Sequence, residues 1–421
     1  MRTFRLPPGP FHAAPALPGD KSLSHRALLL AAMAAGESLV SNLWPGEDVA
    51  ATSRALRALG VEVEDGRVRS PGVQNWTAPE GPIDCANSAT TMRLLAGALS
   101  TRPFRTTLVG DASLMARPMA RLVAPLGALG AAVAVGPEGR PPVTVGRSVL
   151  RGAEVEIPVA SAQVRSAVAF AALQAEGPSL ITSPGGFRDH TERWLEALGL
   201  ARRLSESRFE VRPGPVPPAA YDLPGDASAA AFLLAAAALR PGAVLEARRV
   251  TLNPGRTGFL DVLAAMGARV ERRATGLVHG DPVGDVEVTG SGLRGTTVEG
   301  ALAVRALDEL PLVALLAAAA DGETVVAGAG ELRLKESDRV AASVRLVRSL
   351  GGTAEEGEDG FVVRGGRPLH GGEVDAGGDH RVAMAAAVGA VVAGGEVRVG
   401  GFEAVAVSWP GFGEALEALW S

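Results

Sequence analysis

The chain repeats itself, and the period limits what it can fold into. A helix-like stretch ending in Leu-Gly or Met-Gly recurs over residues 55–60, 124–130, 194–199, 262–267 and 345–351. Three of these are followed at once by a short strand-like stretch, at 61–64, 131–135 and 268–271. The closing glycines stand 70, 69, 68 and 84 residues apart. Glycine is the usual residue just past a helix end, because it takes the left-handed conformation cheaply. A last helix-like stretch, 413–420, ends the chain, and 421 residues divided by six gives about 70. A fixed period of this kind marks a repeated supersecondary unit.

Each unit carries a second helical stretch that is apolar all round: 27–35, 92–99, 164–173, 229–239, 310–320 and 382–392. Such a helix is a buried one. The partner helices are amphipathic, as over 339–348, and alternating segments such as 284–288, 322–326 and 395–399 read as strands. A longer repeat lies above the unit. Pro18-Gly-Asp-Lys-Ser22 returns 206 residues later as Pro224-Gly-Asp-Ala-Ser228, each after a Pro-rich stretch. The expectation is an α/β chain of two domains with three units each. Residues 16–223 form the central domain, and 1–15 with 224–421 form the discontinuous one. The crossings near 13–19 and 213–225 are the expected hinges.

Composition narrows the function. With 47% hydrophobic residues the chain can bury a large core, and with 4% aromatics that core is aliphatic. Cys85 is the single cysteine, which excludes an internal disulfide framework and a cysteine-built zinc site and fits a reducing, cytoplasmic compartment. A net charge of −5 argues against binding nucleic acid through bulk charge. No apolar run is long enough to span a membrane, and no signal peptide is visible. No Walker loop or dinucleotide fingerprint occurs, and no metal-ligand spacing supports a metal.

Of 41 basic residues only Lys21 and Lys335 are lysines. A lysine can release its proton where an arginine cannot, so these two are candidate functional groups. The starts of the buried helices are polar and often basic: Gly19-Asp-Lys-Ser-Leu-Ser-His-Arg26, Asp84-Cys-Ala-Asn-Ser-Ala-Thr-Thr-Met-Arg93, Ala160-Ser-Ala-Gln-Val-Arg165, Gly225-Asp-Ala-Ser228, Ala306-Leu-Asp-Glu-Leu-Pro311 and Gly378-Asp-His-Arg381. Capping alone explains Ser and Asp there. It does not explain cations at the positive end of a helix dipole, which an anionic ligand would compensate. Arg117 before Pro118, and Lys335 with Arg339 four residues on, extend the cationic set. Lys335 and Arg339 would share a face if their stretch is helical. Asp48, Asp308, Glu309 and Glu336 are the nearby carboxylates.

These phrases resemble the 5-enolpyruvylshikimate-3-phosphate synthase family over essentially the whole chain. The most specific are Lys21-Ser-Leu-Ser-His-Arg26, Ala160-Ser-Ala-Gln163 and Leu332-Arg-Leu-Lys-Glu-Ser-Asp-Arg339, with Leu252-Asn-Pro-Gly-Arg-Thr-Gly258 and Asp379-His-Arg381 in support. The resemblance implies the two-domain enolpyruvyl transferase fold, an inside-out α/β barrel of three βαβαββ units per domain. It implies a transferase that joins phosphoenolpyruvate to the 5-hydroxyl of shikimate 3-phosphate by addition and elimination. It also implies no cofactor, those two small-molecule partners, and a monomer.

Carried over residue by residue, the resemblance assigns Lys21, Ser22, Arg26, Ser161, Ala162, Gln163, Arg188, Asp308 and Lys335 to shikimate 3-phosphate. It assigns Lys21, Ala89, Arg117, Gln163, Arg339 and Arg381 to phosphoenolpyruvate. Lys21, Asp308 and Glu336 are the implied catalytic groups. Many members carry Gly where Ala89 stands, which implies the subgroup insensitive to glyphosate. Val407-Ser-Trp-Pro410 lacks a lysine that one branch of the family has there, and His25 replaces an Asn. A related transferase acting on UDP-N-acetylglucosamine is disfavoured because residues 110–121 hold no cysteine. A non-catalytic binder of phosphorylated metabolites is disfavoured because Lys21, Asp308 and Glu336 are all present.

Overall fold

The computed structural model describes residues 1–421. The chain forms two compact units. The central unit is Gly19–Pro224 together with the short segment Leu277–Asp281. The terminal unit is Met1–Pro18, Gly225–Gly276 and Pro282–Ser421.

In the central unit three four-stranded sheets share one plan. Their strand orders are Ala220–Asp222, Ala35–Ser41, Arg67–Pro71, Glu62–Glu64; then Ile83–Asp84, Thr106–Val109, Val143–Val145, Val133–Val135; then Glu154–Glu156, Ser179–Thr182, Arg208–Val211, Ala201–Arg203. The first pair of each is parallel and the rest antiparallel. A parallel pair needs a crossover, and a helix usually supplies it. Here it is a buried helix: Ala89–Ala98 in the second sheet and Ala162–Ala172 in the third. The first sheet is completed late, by Ala220–Asp222 at the end of the unit, where Tyr221 lies opposite Val40. The six-unit sequence repeat is therefore a sheet-plus-helix repeat whose first member is closed by a distant strand.

The terminal unit repeats the plan twice, in Thr297–Val298, Glu323–Val326, Phe361–Arg364, Thr353–Glu356 and in His12–Ala13, Val244–Thr251, Asp281–Thr289, Arg269–Val278. Its third sheet has three strands, Arg2–Phe4, Val397–Gly400 and Gly372–Asp375. The helices that matter below are α1 (Lys21–Met33), α2 (Glu47–Ala58), α3 (Ala89–Ala98), α4 (Ala162–Ala172) and α5 (His190–Ala197) in the central unit. In the terminal unit they are α6 (Ala227–Ala238), α7 (Leu310–Ala319), α8 (Arg339–Ser349) and α9 (His380–Gly389).

The six all-apolar stretches are the buried helices α1, α3, α4, α6, α7 and α9. Five of them start earlier than the apolar pattern predicts. Asp20, Ser88, Ser161, Asp226 and Asp379 accept backbone N–H groups as side-chain caps and draw the polar phrases into the first helical turn. The interiors are packed with small residues. An added Cβ on Gly97 of α3 would lie 1.9 Å from the carbonyl oxygen of Ala167 in α4. The repeat glycines Gly60, Gly130, Gly199, Gly267 and Gly351 all have positive φ, 75–94°, as the helix-ending reading requires. No helix is long and apolar enough to cross a membrane.

Candidate active site

In the central unit the starts of α1, α3 and α4 hold the chemistry. Asp20 caps α1 by accepting from the Leu23 N–H at 2.9 Å, which puts Lys21 at the first helical position. The Lys21 ammonium pairs with the Asp48 carboxylate from the first turn of α2. One turn further, Arg26 is buried. Its Nε donates to Thr191 Oγ1 at 2.7 Å, Nη1 to the Ser22 carbonyl at 2.9 Å and Nη2 to Ser166 Oγ at 2.9 Å. Burial pulls its pKa down to about 10, so it remains a cation at neutral pH. All three acceptors are uncharged, and the carboxylates of Glu192, Asp20 and Asp281 favour its charged form against burial. Arg188 Nη1 reaches Ser22 Oγ at 3.5 Å.

Ala89 opens α3 directly after its cap Ser88 and is buried. Its neighbour Thr90 accepts from Gln163 Nε2 at 2.8 Å, while Gln163 Oε1 accepts from Arg93 Nη1. Arg93 Nη2 also donates to the Pro118 carbonyl at 3.0 Å. Ser161 caps α4, so Ala162 and Gln163 fall in its first turn. Arg117 Nη2 donates to Asn87 Oδ1 at 2.6 Å. Pro118 starts no helix; the next turn begins at Ala120, and Arg117 sits in the loop before it. Cys85 is buried, and burial raises its thiol pKa to about 12, so it is an inert group.

In the terminal unit one carboxylate gathers the cations. Asp308 Oδ1 lies 3.4 Å from Lys335 Nζ and 3.6 Å from Arg339 Nη1. Its Oδ2 lies 3.5 Å from Arg256 Nη1 and 3.9 Å from Arg381 Nη2. All three arginines have shorter contacts elsewhere. Arg339 Nε donates to Asp379 at 2.8 Å and its Nη2 to Glu336 at 2.7 Å. Arg381 Nη1 donates to Glu309 at 3.1 Å, and Arg256 Nη2 to Asp226 at 3.3 Å. Asp308 is thus the carboxylate around which four cations gather. Burial would lower the Arg339 pKa, yet Asp379, Glu336 and Asp308 hold it above the ordinary arginine value. Burial likewise opposes ionisation of Asp379, and Arg339 outweighs it, holding that carboxyl below its usual range.

Lys335 and Arg339 do not share a helical face. Lys335 is extended, with ψ −157°, after the 3₁₀ turn Gly330–Leu334, and α8 begins only at Arg339 because Asp338 caps it. Both side chains reach Asp308 regardless. The structure therefore forms two clusters: Lys21, Ser22, Arg26, Ala89, Arg117, Ser161, Ala162, Gln163 and Arg188 in the central unit, and Asp308, Lys335, Glu336, Arg339 and Arg381 in the terminal unit. Sequence reading missed Arg93 and Arg256 as members. Both stand in phrases quoted above, but the bond from Arg93 to Gln163 spans 70 residues and leaves no local pattern.

The chain's likenesses agree with this chemistry. The EPSP synthase (3-phosphoshikimate 1-carboxyvinyltransferase) family model matches residues 7–416. A 3-phosphoshikimate 1-carboxyvinyltransferase of Desulforudis audaxviator is 45% identical over 414 residues, 96% of each chain. That of Herpetosiphon aurantiacus is 44% identical over 405 residues, 94% of each. Among solved structures, an EPSP synthase from Acinetobacter baumannii superposes with a TM-score of 0.87 at 36% identity, covering 100% of this chain and 98% of that one. The enolpyruvyl transferase NikO from Streptomyces tendae, at 18% identity, shares the fold with a TM-score of 0.79 over 99% of this chain and 96% of its own.

Proposed function

Because this chain belongs to the EPSP synthase family, we propose a division of labour among its residues for the family's reaction. The enzyme transfers the enolpyruvyl group of phosphoenolpyruvate to the 5-hydroxyl of shikimate 3-phosphate and releases phosphate. The observation that carries the assignment is the ring of Lys335, Arg256, Arg339 and Arg381 around Asp308 at 3.4–3.9 Å.

Shikimate 3-phosphate needs cations for its phosphate and acceptors for its hydroxyls. Arg26, aimed by three neutral oxygens, and Arg188 supply charge. Lys21 and Ser22, with Ser161, Ala162 and Gln163, offer the first turns of α1 and α4. Lys335 and Asp308 complete the set. Phosphoenolpyruvate carries a carboxylate and a phosphate. Arg117, Arg339 and Arg381 suit both, because a guanidinium fork matches planar or phosphate oxygens. Lys21 and Gln163 border the same substrate, and Ala89 sets the room left for it.

The steps follow from the charges. A proton is delivered to the methylene carbon of phosphoenolpyruvate, and positive charge develops at C2. The 5-hydroxyl oxygen attacks C2 as Asp308 accepts its proton. The tetrahedral intermediate then loses a methyl proton and phosphate to give the enol ether. The proton donor is Lys21 or Glu336. Lys21 pairs with Asp48 and Glu336 with Arg339, and whichever of the two has given its proton takes the methyl proton back.

Two finer readings belong to this proposal. Ala89 places a methyl group at the start of α3, so glyphosate, longer than phosphoenolpyruvate, is a weak inhibitor. The enzyme works in the cytoplasm as a monomer.

Phosphate release from the purified enzyme tests the reaction, with the two substrates supplied together and singly. Release that requires both is expected. Release with UDP-N-acetylglucosamine in place of shikimate 3-phosphate would identify the neighbouring transferase, and binding of both without release a non-catalytic binder.

A further inference from the structure

We infer that Glu309 is a positioning residue for the Arg381 guanidinium, and that Ser228 holds Glu309 in place. The inference rests on the assignment of Arg381 to phosphoenolpyruvate.

Glu309 follows Asp308 and immediately precedes α7, and it is only 2% exposed. A carboxylate buried to this degree must be paired and hydrogen-bonded. Its Oε1 accepts from Arg381 Nη1 at 3.1 Å and from the Ser228 hydroxyl. The same Arg381 nitrogen donates to the Asp308 carbonyl at 3.2 Å. One nitrogen of the guanidinium is therefore held by two protein acceptors. The other, Nη2, has only the distant Asp308 carboxylate, at 3.9 Å. A fork anchored along one edge presents the opposite edge in a fixed direction. That lowers the ordering cost of binding a carboxylate or phosphate.

Ser228 is suited to its part. The cap of α6 is Asp226, whose carboxylate accepts from the Ser228 N–H at 2.7 Å. The Ser228 hydroxyl is thereby relieved of capping and points at Glu309. A chain of contacts joins the starts of three buried helices, from Ser228 on α6 through Glu309 at the start of α7 to Arg381 on α9. A carboxylate is the right group at the centre, because it only accepts and so cannot present a repelling N–H to either donor.

The test measures KM for each substrate and kcat by phosphate release for Glu309→Ala, Glu309→Gln, Ser228→Ala and Arg381→Lys. A hydrogen bond to a charged group implies that Glu309→Ala raises the phosphoenolpyruvate KM about tenfold or more. The shikimate 3-phosphate KM should stay within about threefold. Glu309→Gln, which keeps an acceptor, should recover most of the loss, and Ser228→Ala should raise the phosphoenolpyruvate KM less. A Glu309→Ala enzyme whose two KM values rise together, or whose phosphoenolpyruvate KM does not move, overturns the inference. If that variant does not fold, Ser228→Ala decides by the same criterion. An unmoved phosphoenolpyruvate KM in Arg381→Lys would contradict the assignment of Arg381 itself. A shift there without one in the Glu309 variants would remove only the positioning role.

Discussion

His25 Nδ1 lies 2.7 Å from Thr52 Oγ1, and both residues are fully buried. Thr52 in turn lies 2.6 Å from Thr91 Oγ1, so this one imidazole joins α1, α2 and α3 through hydroxyls. Burial, reinforced by Lys21 and Arg26, holds the His25 pKa well below its ordinary 6.5. The folded state therefore keeps His25 neutral while the unfolded state takes up a proton below that value. Its contribution to stability is present above pH 6.5 and is lost as pH falls. Denaturant titrations from pH 8 to 5 should show stability falling below pH 6.5, by up to about 1.4 kcal/mol per pH unit from this group. His25→Asn should flatten that fall. An equal slope in both proteins would contradict it.

Lys21→Arg keeps the charge opposite Asp48 but replaces an ammonium, which can act as a proton donor, with a guanidinium, which cannot. The variant should bind shikimate 3-phosphate and lose kcat by about 10²-fold or more. Turnover within about threefold of the parent would remove Lys21 from the proton-transfer role.

Ala89→Gly deletes a single methyl at the start of α3. A methyl-sized difference in a pocket is worth roughly 10-fold to 200-fold in discrimination. The inhibition constant of glyphosate against phosphoenolpyruvate should fall by about tenfold or more, with the phosphoenolpyruvate KM moving less. Tight inhibition of the parent enzyme would overturn the subgroup assignment.

Gly97→Ala drives a methyl group to 1.9 Å from the Ala167 carbonyl, so α3 and α4 must separate. Overpacking of this kind costs about 1–3 kcal/mol, and a backbone contact lies at the upper end. The shift in denaturation midpoint checks it. A change below about 0.5 kcal/mol would mean the helices part freely.

Much of this architecture was legible because it is written in local signals. Gly60, Gly130, Gly199, Gly267 and Gly351 mark helix ends by a conformation that other residues avoid, and they count out the units. The buried helices show in composition because almost every residue beyond their first turns is buried. The helix starts were read late because a cap is one polar side chain, and the apolar pattern begins only after the first turn. Spacing would put Lys335 and Arg339 on one face only if their stretch were helical, and spacing alone cannot see that Asp338 starts α8 between them. The contacts of Arg93 with Gln163 and of Arg256 with Asp308 join residues 70 and 52 apart. Only the fold brings them together. The separate strand that completes the first sheet, Ala220–Asp222 beside Ala35–Ser41, is equally a property of topology.

The central claim is that Asp308 accepts the 5-hydroxyl proton, and single-turnover kinetics of Asp308→Asn test it most directly. Shikimate 3-phosphate binding and phosphate release are followed on the same sample. The account predicts that binding is retained while the rate of phosphate release falls by about 10²-fold to 10⁴-fold. Release at near the parent rate would contradict it and leave the ring of cations around Asp308 with a binding role alone.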